Sequence, residues 1–221
     1  MRLLVLDTTG PACCVALREP GQADIVCVEE MARGQAERLA PMVEEVLAEA
    51  GLNPRDLDRI GVTTGPGSFA GTRVGVAFAR GLALATGADV VGISNLAWWV
   101  NKKARQHAGI VISTHDARRG DVVLQSFRQG IALSEPETFD TAAARENVRA
   151  IATRDAPDTV MMLVGSALPI LDRGEDSGRW PESDLTTLLD RAEQAMPPFD
   201  LPKPFYARPP DAKLPGGRDV T

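Results

Sequence analysis

The chain has 221 residues, enough for one domain or two small lobes with a real core. Hydrophobic residues make up 44% and charged residues 24%, ordinary values for a soluble globular protein. Its 24 basic and 30 acidic side chains leave a net charge of −6, which argues against an autonomous nucleic-acid binder but not against RNA contact shared with a basic partner.

No secretory leader is expected, because Asp7 interrupts MRLLVLD before an apolar segment of useful length develops. The most apolar stretch, residues 74–93, carries Arg80, Asp89 and four glycines, which speaks against a membrane span. Cys13, Cys14 and Cys27 lack CxxC spacing and read as small buried residues in a reduced, cytoplasmic setting.

Residues 3–6, 13–17 and 23–29 read as three short strands separated by Gly10-Pro11 and Pro20-Gly21, an antiparallel start. An amphipathic helix follows over residues 35–50, with Leu39, Met42, Val43, Val46 and Leu47 at helical spacing and Gly51 as its stop. Pro41 predicts a kink there or a start near Leu39. Residues 58–64 form a strand that breaks at Gly65-Pro66-Gly67 and enters a helix capped by Ser68. Gly71, Gly75, Ala79 and Ala83 form one stripe of that helix and Val74, Phe78 and Leu82 another, so it needs cover on more than one side.

Residues 89–93 are the next strand, and Ser94-Asn95 opens a third helix running to about Gln106. A second half repeats the theme, with strands at residues 109–114 and 122–127 around the charged turn His115 to Gly120. A weak helix follows at 141–151, then a strand at 159–165 and a last helix at 182–194. Both halves begin with strand, Asp, turn, strand. The expected division is a first lobe over residues 1–107, a smaller second lobe over 108–196, and an extended Pro-rich tail over 197–221. The class is α/β with mixed sheets.

Gly65 to Ser68, on a helix N-terminus, is a natural seat for an anion. It is not a Walker loop, because Gly65 and Gly71 are one residue too far apart and Thr72-Arg73 stands where Lys is needed. The GPGSFA segment fits G-x-G-x-x-A, yet no acidic residue closes the next strand as a dinucleotide site wants. A nucleophile elbow fails too, since Pro66 and Ala70 replace its flanking glycines. His107 and His115, eight residues apart, have no metal-site motif around them. Asp7 and Asp116 each close an apolar strand, where α/β folds place ligands; the plainer reading is that both cap turns.

LLVLDTTG, GPGSFAGTRVGVAFARGLAL, DARRGDVVLQSF and FYARPPDAKLP, in that order over nearly the whole chain, resemble the TsaB (YeaZ) family. The resemblance implies the actin, Hsp70 and sugar-kinase superfold, with two ribonuclease H-like lobes. It implies a noncatalytic partner of TsaD that, with the ATPase TsaE, supports threonylcarbamoylation of adenosine 37 in ANN-decoding tRNAs. Tightly bound cofactors are not expected here; ATP or ADP and Mg²⁺ would enter through TsaD, and tRNA through the complex. Asp7, Thr8, Thr9, Gly65, Gly67, Ser68 and Asp116 would be vestigial phosphate-loop positions, with no catalytic residue and no metal ligand. Gln35 stands where many relatives carry a lone His. The resemblance also implies that the first two helices pack on their counterparts in TsaD, with Leu39, Met42, Val43, Val46, Val74 and Phe78 at the seam. Alone, the chain is expected to form a homodimer through the same helices, since an exposed apolar patch tends to self-associate. The alternative is an independent sugar-kinase-like phosphotransferase.

Overall fold

The computed structural model describes residues 1–155, 161–171 and 184–207. β1 (Leu3–Asp7), β2 (Ala12–Arg18) and β3 (Ile25–Glu30) make the expected antiparallel meander. β4 (Arg59–Thr63) and β5 (Asp89–Ile93) add in parallel on the other side of β1, giving the order β3-β2-β1-β4-β5. α1 (Gln35–Glu49) and α2 (Phe69–Thr86) lie together on one face of this sheet. Pro41 is exposed, and α1 runs through it.

Two short helices, α3 (Asn95–Trp99) and α4 (Lys102–Arg105), replace the single helix expected to reach Gln106. Val100 leaves helical geometry, and the Asn101 side chain accepts the Ala104 amide at 3.1 Å, which starts a new turn. β6 (Ile110–Asp116) and β7 (Asp121–Arg128) then form an antiparallel pair. β8 (Ile131–Ala132) and β9 (Glu137–Asp140) both pair with β7. α5 (Thr141–Asp155) returns the chain to β10 (Met162–Gly165), parallel to β6. β8 and β9 were not expected, because a two-residue strand and the polar ETFD segment carry no apolar alternation.

Among the described residues the result is two five-stranded mixed sheets, each opening with a strand that ends in Asp and an antiparallel neighbour, a two-lobed α/β plan. β1 can be an unbroken apolar run because both its faces are covered. Leu4 and Leu6 meet α1 and α2, while Leu3 and Val5 meet the last helix, α6 (Leu185–Gln194).

α6 lies within residues 108–196 of the chain, yet Leu185, Leu188, Leu189 and Ala192 pack on the first sheet. The cause is the second apolar face of β1 and β2, with Ala12, Cys14 and Ala16, which would otherwise meet water. Arg59 fastens the helix end by donating to the carbonyls of Ala192, Glu193 and Ala195 at 2.9, 3.2 and 3.1 Å. A cation at those carbonyls also suits the negative end of the helix dipole. Between the sheets, Leu96, Trp99 and Val100 pack with Val111, Val123 and Phe127.

The tail runs back along the molecule without regular structure as far as it is described. Phe199 lies under the Arg59 guanidinium, whose carbon is 4.6 Å from the ring centroid. Pro202 is buried against Gly92. The Phe205 amide donates to the Thr64 carbonyl at 2.7 Å, and Thr138 of β9 donates to the Ala207 carbonyl at 3.2 Å. Residues 208–221 of the expected tail, and residues 182–183 of the expected last helix, lie outside the described residues.

Candidate functional site

The strand end Asp7-Thr8-Thr9 and the loop Gly65 to Ser68 come together, but they are closed on each other. Asp7 is fully buried, and its Oδ1 accepts the Thr9 amide at 3.1 Å, the Thr9 hydroxyl at 2.6 Å and the Thr63 hydroxyl. The Thr8 hydroxyl donates to the Gly71 carbonyl at 2.6 Å. Asn95, also fully buried, clamps the two segments: it donates to the Thr9 hydroxyl at 2.6 Å and accepts the Gly65 amide at 2.9 Å.

An anion seat needs free amides, and two of those in the loop are already bonded within the chain. The Gly65 amide goes to Asn95, and the Ser68 amide to the Thr9 carbonyl at 2.8 Å. Ser68 is the expected N-cap, its hydroxyl accepting the Gly71 amide at 3.2 Å, and its carbonyl accepts the Thr72 amide at 2.9 Å. Gly65 holds φ at 94°, and a Cβ there would sit 2.7 Å from the Phe205 carbonyl oxygen. The tail therefore lies directly over the loop.

Asp116 lies at the matching place on the second sheet, apart from that network. Its Oδ1 accepts the Arg118 amide at 2.8 Å, and its own amide donates to the Ser166 hydroxyl at 3.0 Å. The neighbouring His115 is 7% exposed, with Nδ1 3.3 Å from the same hydroxyl and its ring stacked on Trp99 at 5.4 Å. Burial pushes its pKa down to about 4, with Asp116 opposing and Arg118 adding to the shift, so the imidazole is neutral. Among the described residues, no three His, Cys, Asp or Glu groups gather where they could hold a metal. Burial raises the Cys13 thiol to about 11, which makes it unreactive at neutral pH.

The expected partner seam needs correction. Leu39 and Met42 are fully buried, and Val43 and Val46 are 3% and 2% exposed, all in the core between α1 and its own sheet. The helical spacing of these residues marks the inward face, so no partner can reach them. Val74 and Phe78 are half-buried beside that core. The surface of α2 is instead Phe69, Ala70, Arg73, Ala77, Arg80, Gly81, Leu84 and Ala85, with Leu84 90% exposed. The outward face of α1 is acidic, with Glu37, Glu44 and Glu49 between Ala36, Ala40 and Ala48.

Asn95 and the tail residues Phe205 and Tyr206 were missed from the sequence. A polar Asn just inside an apolar helix start was the available signal for the first. Nothing local marks the tail contacts. A separate cavity of about 240 Å³ under α5, lined by Leu124, Gln125, Leu133, Phe139 and Ile151 among others, involves none of the candidate residues.

Fold and site together define a two-lobed α/β protein of mixed sheets whose Gly65 to Ser68 loop is bonded to Asn95 and to the turn after β1. The family model for TsaD, tRNA N6-adenosine threonylcarbamoyltransferase, matches residues 26–155. The chain is 34% identical to the tRNA threonylcarbamoyladenosine biosynthesis protein TsaB of Escherichia coli over 58% of its own length and 56% of that protein. It thus spans little more than half of that relative. An uncharacterized Mycobacterium tuberculosis protein is 32% identical over 96% of this chain and 93% of its own. A Pseudomonas aeruginosa crystal structure, described as similar to peptidase YeaZ, superposes with a TM-score of 0.73 at 28% identity, covering 94% of this chain and 99% of that one. The chain belongs to the TsaB (YeaZ) family.

Proposed function

We propose that this chain is a noncatalytic subunit that pairs with a TsaD-like protein and, with a TsaE-like ATPase, supports threonylcarbamoylation of adenosine 37 in ANN-decoding tRNAs in the cytoplasm. The observation that carries the reading is the crowded loop: the Gly65 and Ser68 amides are bonded to Asn95 and Thr9, and the Phe205 carbonyl of the tail lies against Gly65. Nucleotide and Mg²⁺ then belong to the partner, and tRNA meets the assembled complex. The name of the Escherichia coli relative supports the pathway.

The exposed face of α2 is the docking surface in this reading. Arg73 and Arg80 stand among small and apolar residues on it, and the neighbouring α1 offers Glu37, Glu44 and Glu49. Opposite charges on adjacent helices suit a pairwise arrangement in which α1 of one chain meets α2 of a related one. Alone, two copies would pair through the same faces.

Two measurements test this. Calorimetric titration with ATP–Mg²⁺ is expected to show millimolar binding or none; micromolar binding with turnover would make the chain a phosphotransferase. Reconstitution with the cognate TsaD-like and TsaE-like proteins should lose tRNA modification when this chain is omitted.

A further inference from the structure

We propose that the tail completes the partner-facing surface of α2, with Tyr206 as an anchor for the TsaD-like chain. This rests on the docking role of α2 proposed above. The Tyr206 and Phe69 ring centroids lie 4.7 Å apart, tilted by 39°. The Arg73 guanidinium carbon sits 4.0 Å over the Phe69 ring, and its Nε donates to the Tyr206 hydroxyl at 2.8 Å. Phe69 is 41% exposed, and Arg73 is exposed, with no acidic partner among the described residues.

Such a cluster on a monomer surface has the composition that carries binding energy at interfaces, where aromatic rings and Arg dominate. It adjoins Ala70 and Ala77 on the outward face of α2, so it extends that face. It is also held in advance. The Phe205 amide bond to Thr64 and the Thr138 bond to Ala207 fix the backbone on both sides of Tyr206. Little freedom is left to lose on docking.

The occupant is the α1 equivalent of the TsaD-like chain. The TsaD family model matches this chain across both α1 and α2, so a TsaD-like protein carries equivalents of both helices, and in this chain the α1 face that would meet Arg73 is acidic. A carboxylate placed on that helix as Glu37, Glu44 and Glu49 are on this chain's α1 would meet Arg73 and bring the helix over both rings.

Tyr206 is the single tyrosine of the chain, so it reports on itself. The affinity of Tyr206→Ala for the cognate TsaD-like protein is measured by calorimetry beside the parent and Leu84→Glu, with thermal unfolding as the check on folding. Nitration of Tyr206 in the unaltered chain is followed by mass spectrometry, free and in complex. The expected result is at least tenfold weaker binding for Tyr206→Ala and slower nitration in the complex. If Leu84→Glu abolishes pairing while Tyr206→Ala binds normally and nitration is unchanged, the tail proposal is overturned and the helix reading stands. If neither substitution matters, both fall. Protection seen only in the self-paired chain overturns the choice of occupant. Should Tyr206→Ala unfold, the nitration rates decide.

Discussion

Gly71 lies against the backbone of Thr8: a Cβ built on it would fall 1.9 Å from the Thr8 carbonyl oxygen. The first turn of α2 is thus pressed onto the end of β1, and the turn Thr8-Thr9 has no room to move away because Thr9 is bonded to Asp7, Asn95 and Ser68. Gly71→Ala is expected to destabilise the fold by about 3 kcal/mol, overpacking outweighing the roughly 1 kcal/mol that Ala gains over Gly in a helix. Gly81, on the same helix, has nothing within 4 Å, so Gly81→Ala is expected to stabilise by about 0.5–1 kcal/mol. Urea unfolding of the two variants checks the opposite signs.

Asp7→Ala removes the acceptor for two hydroxyls and one amide, all within a buried network. A loss of about 3 kcal/mol in unfolding free energy is expected, while tRNA modification by the reconstituted complex stays near the parent rate at temperatures where the variant is folded. A collapse of rate in the folded variant would give the carboxylate a direct part in the chemistry.

His115 makes stability fall in mild acid. The unfolded chain takes up a proton at this residue as pH drops through about 6.5, whereas the buried ring resists until about 4. The stabilisation is present above 6.5, is lost progressively as pH falls toward 4, and changes no further below that. Between pH 7 and pH 5 the loss from this residue is about 2 kcal/mol. The difference in urea unfolding free energy between pH 7 and pH 5 should be smaller by that amount in His115→Gln.

Val46→Glu and Leu84→Glu separate core from surface on neighbouring helices. Val46 is 2% exposed and faces the sheet, so a charge there is expected to unfold the protein, costing several kcal/mol. Leu84 is 90% exposed, so Leu84→Glu should leave thermal unfolding within about 2 °C of the parent and abolish pairing. Circular dichroism and sizing chromatography distinguish the two outcomes.

Local chemistry made much of this fold legible. The short apolar runs of β1 and β2, the Ser68 cap and the period of α1 each depend on residues a few positions apart. Periodicity gives the width of an apolar face but not what covers it. Leu39, Met42, Val43 and Val46 read equally well as core or seam until β2 and β4 are placed beneath them. The site was harder for the same reason. Asp7 looked like a ligand or a turn cap, and the deciding partner, Asn95, lies 86 residues from Thr9 in the chain. The contact of Phe205 with Thr64 and Gly65 joins segments whose sequences say nothing of one another.

Arg59 gripping the end of α6 has a consequence for synthesis on the ribosome. The strands that emerge first, β1 and β2, keep one greasy side bare until residues 185–194 have been made and can swing back onto it. Nascent chains that stall before that point carry an open sheet, a surface suited to chaperone capture or clumping. Completion of the earliest-made half is timed by one of the last-made helices.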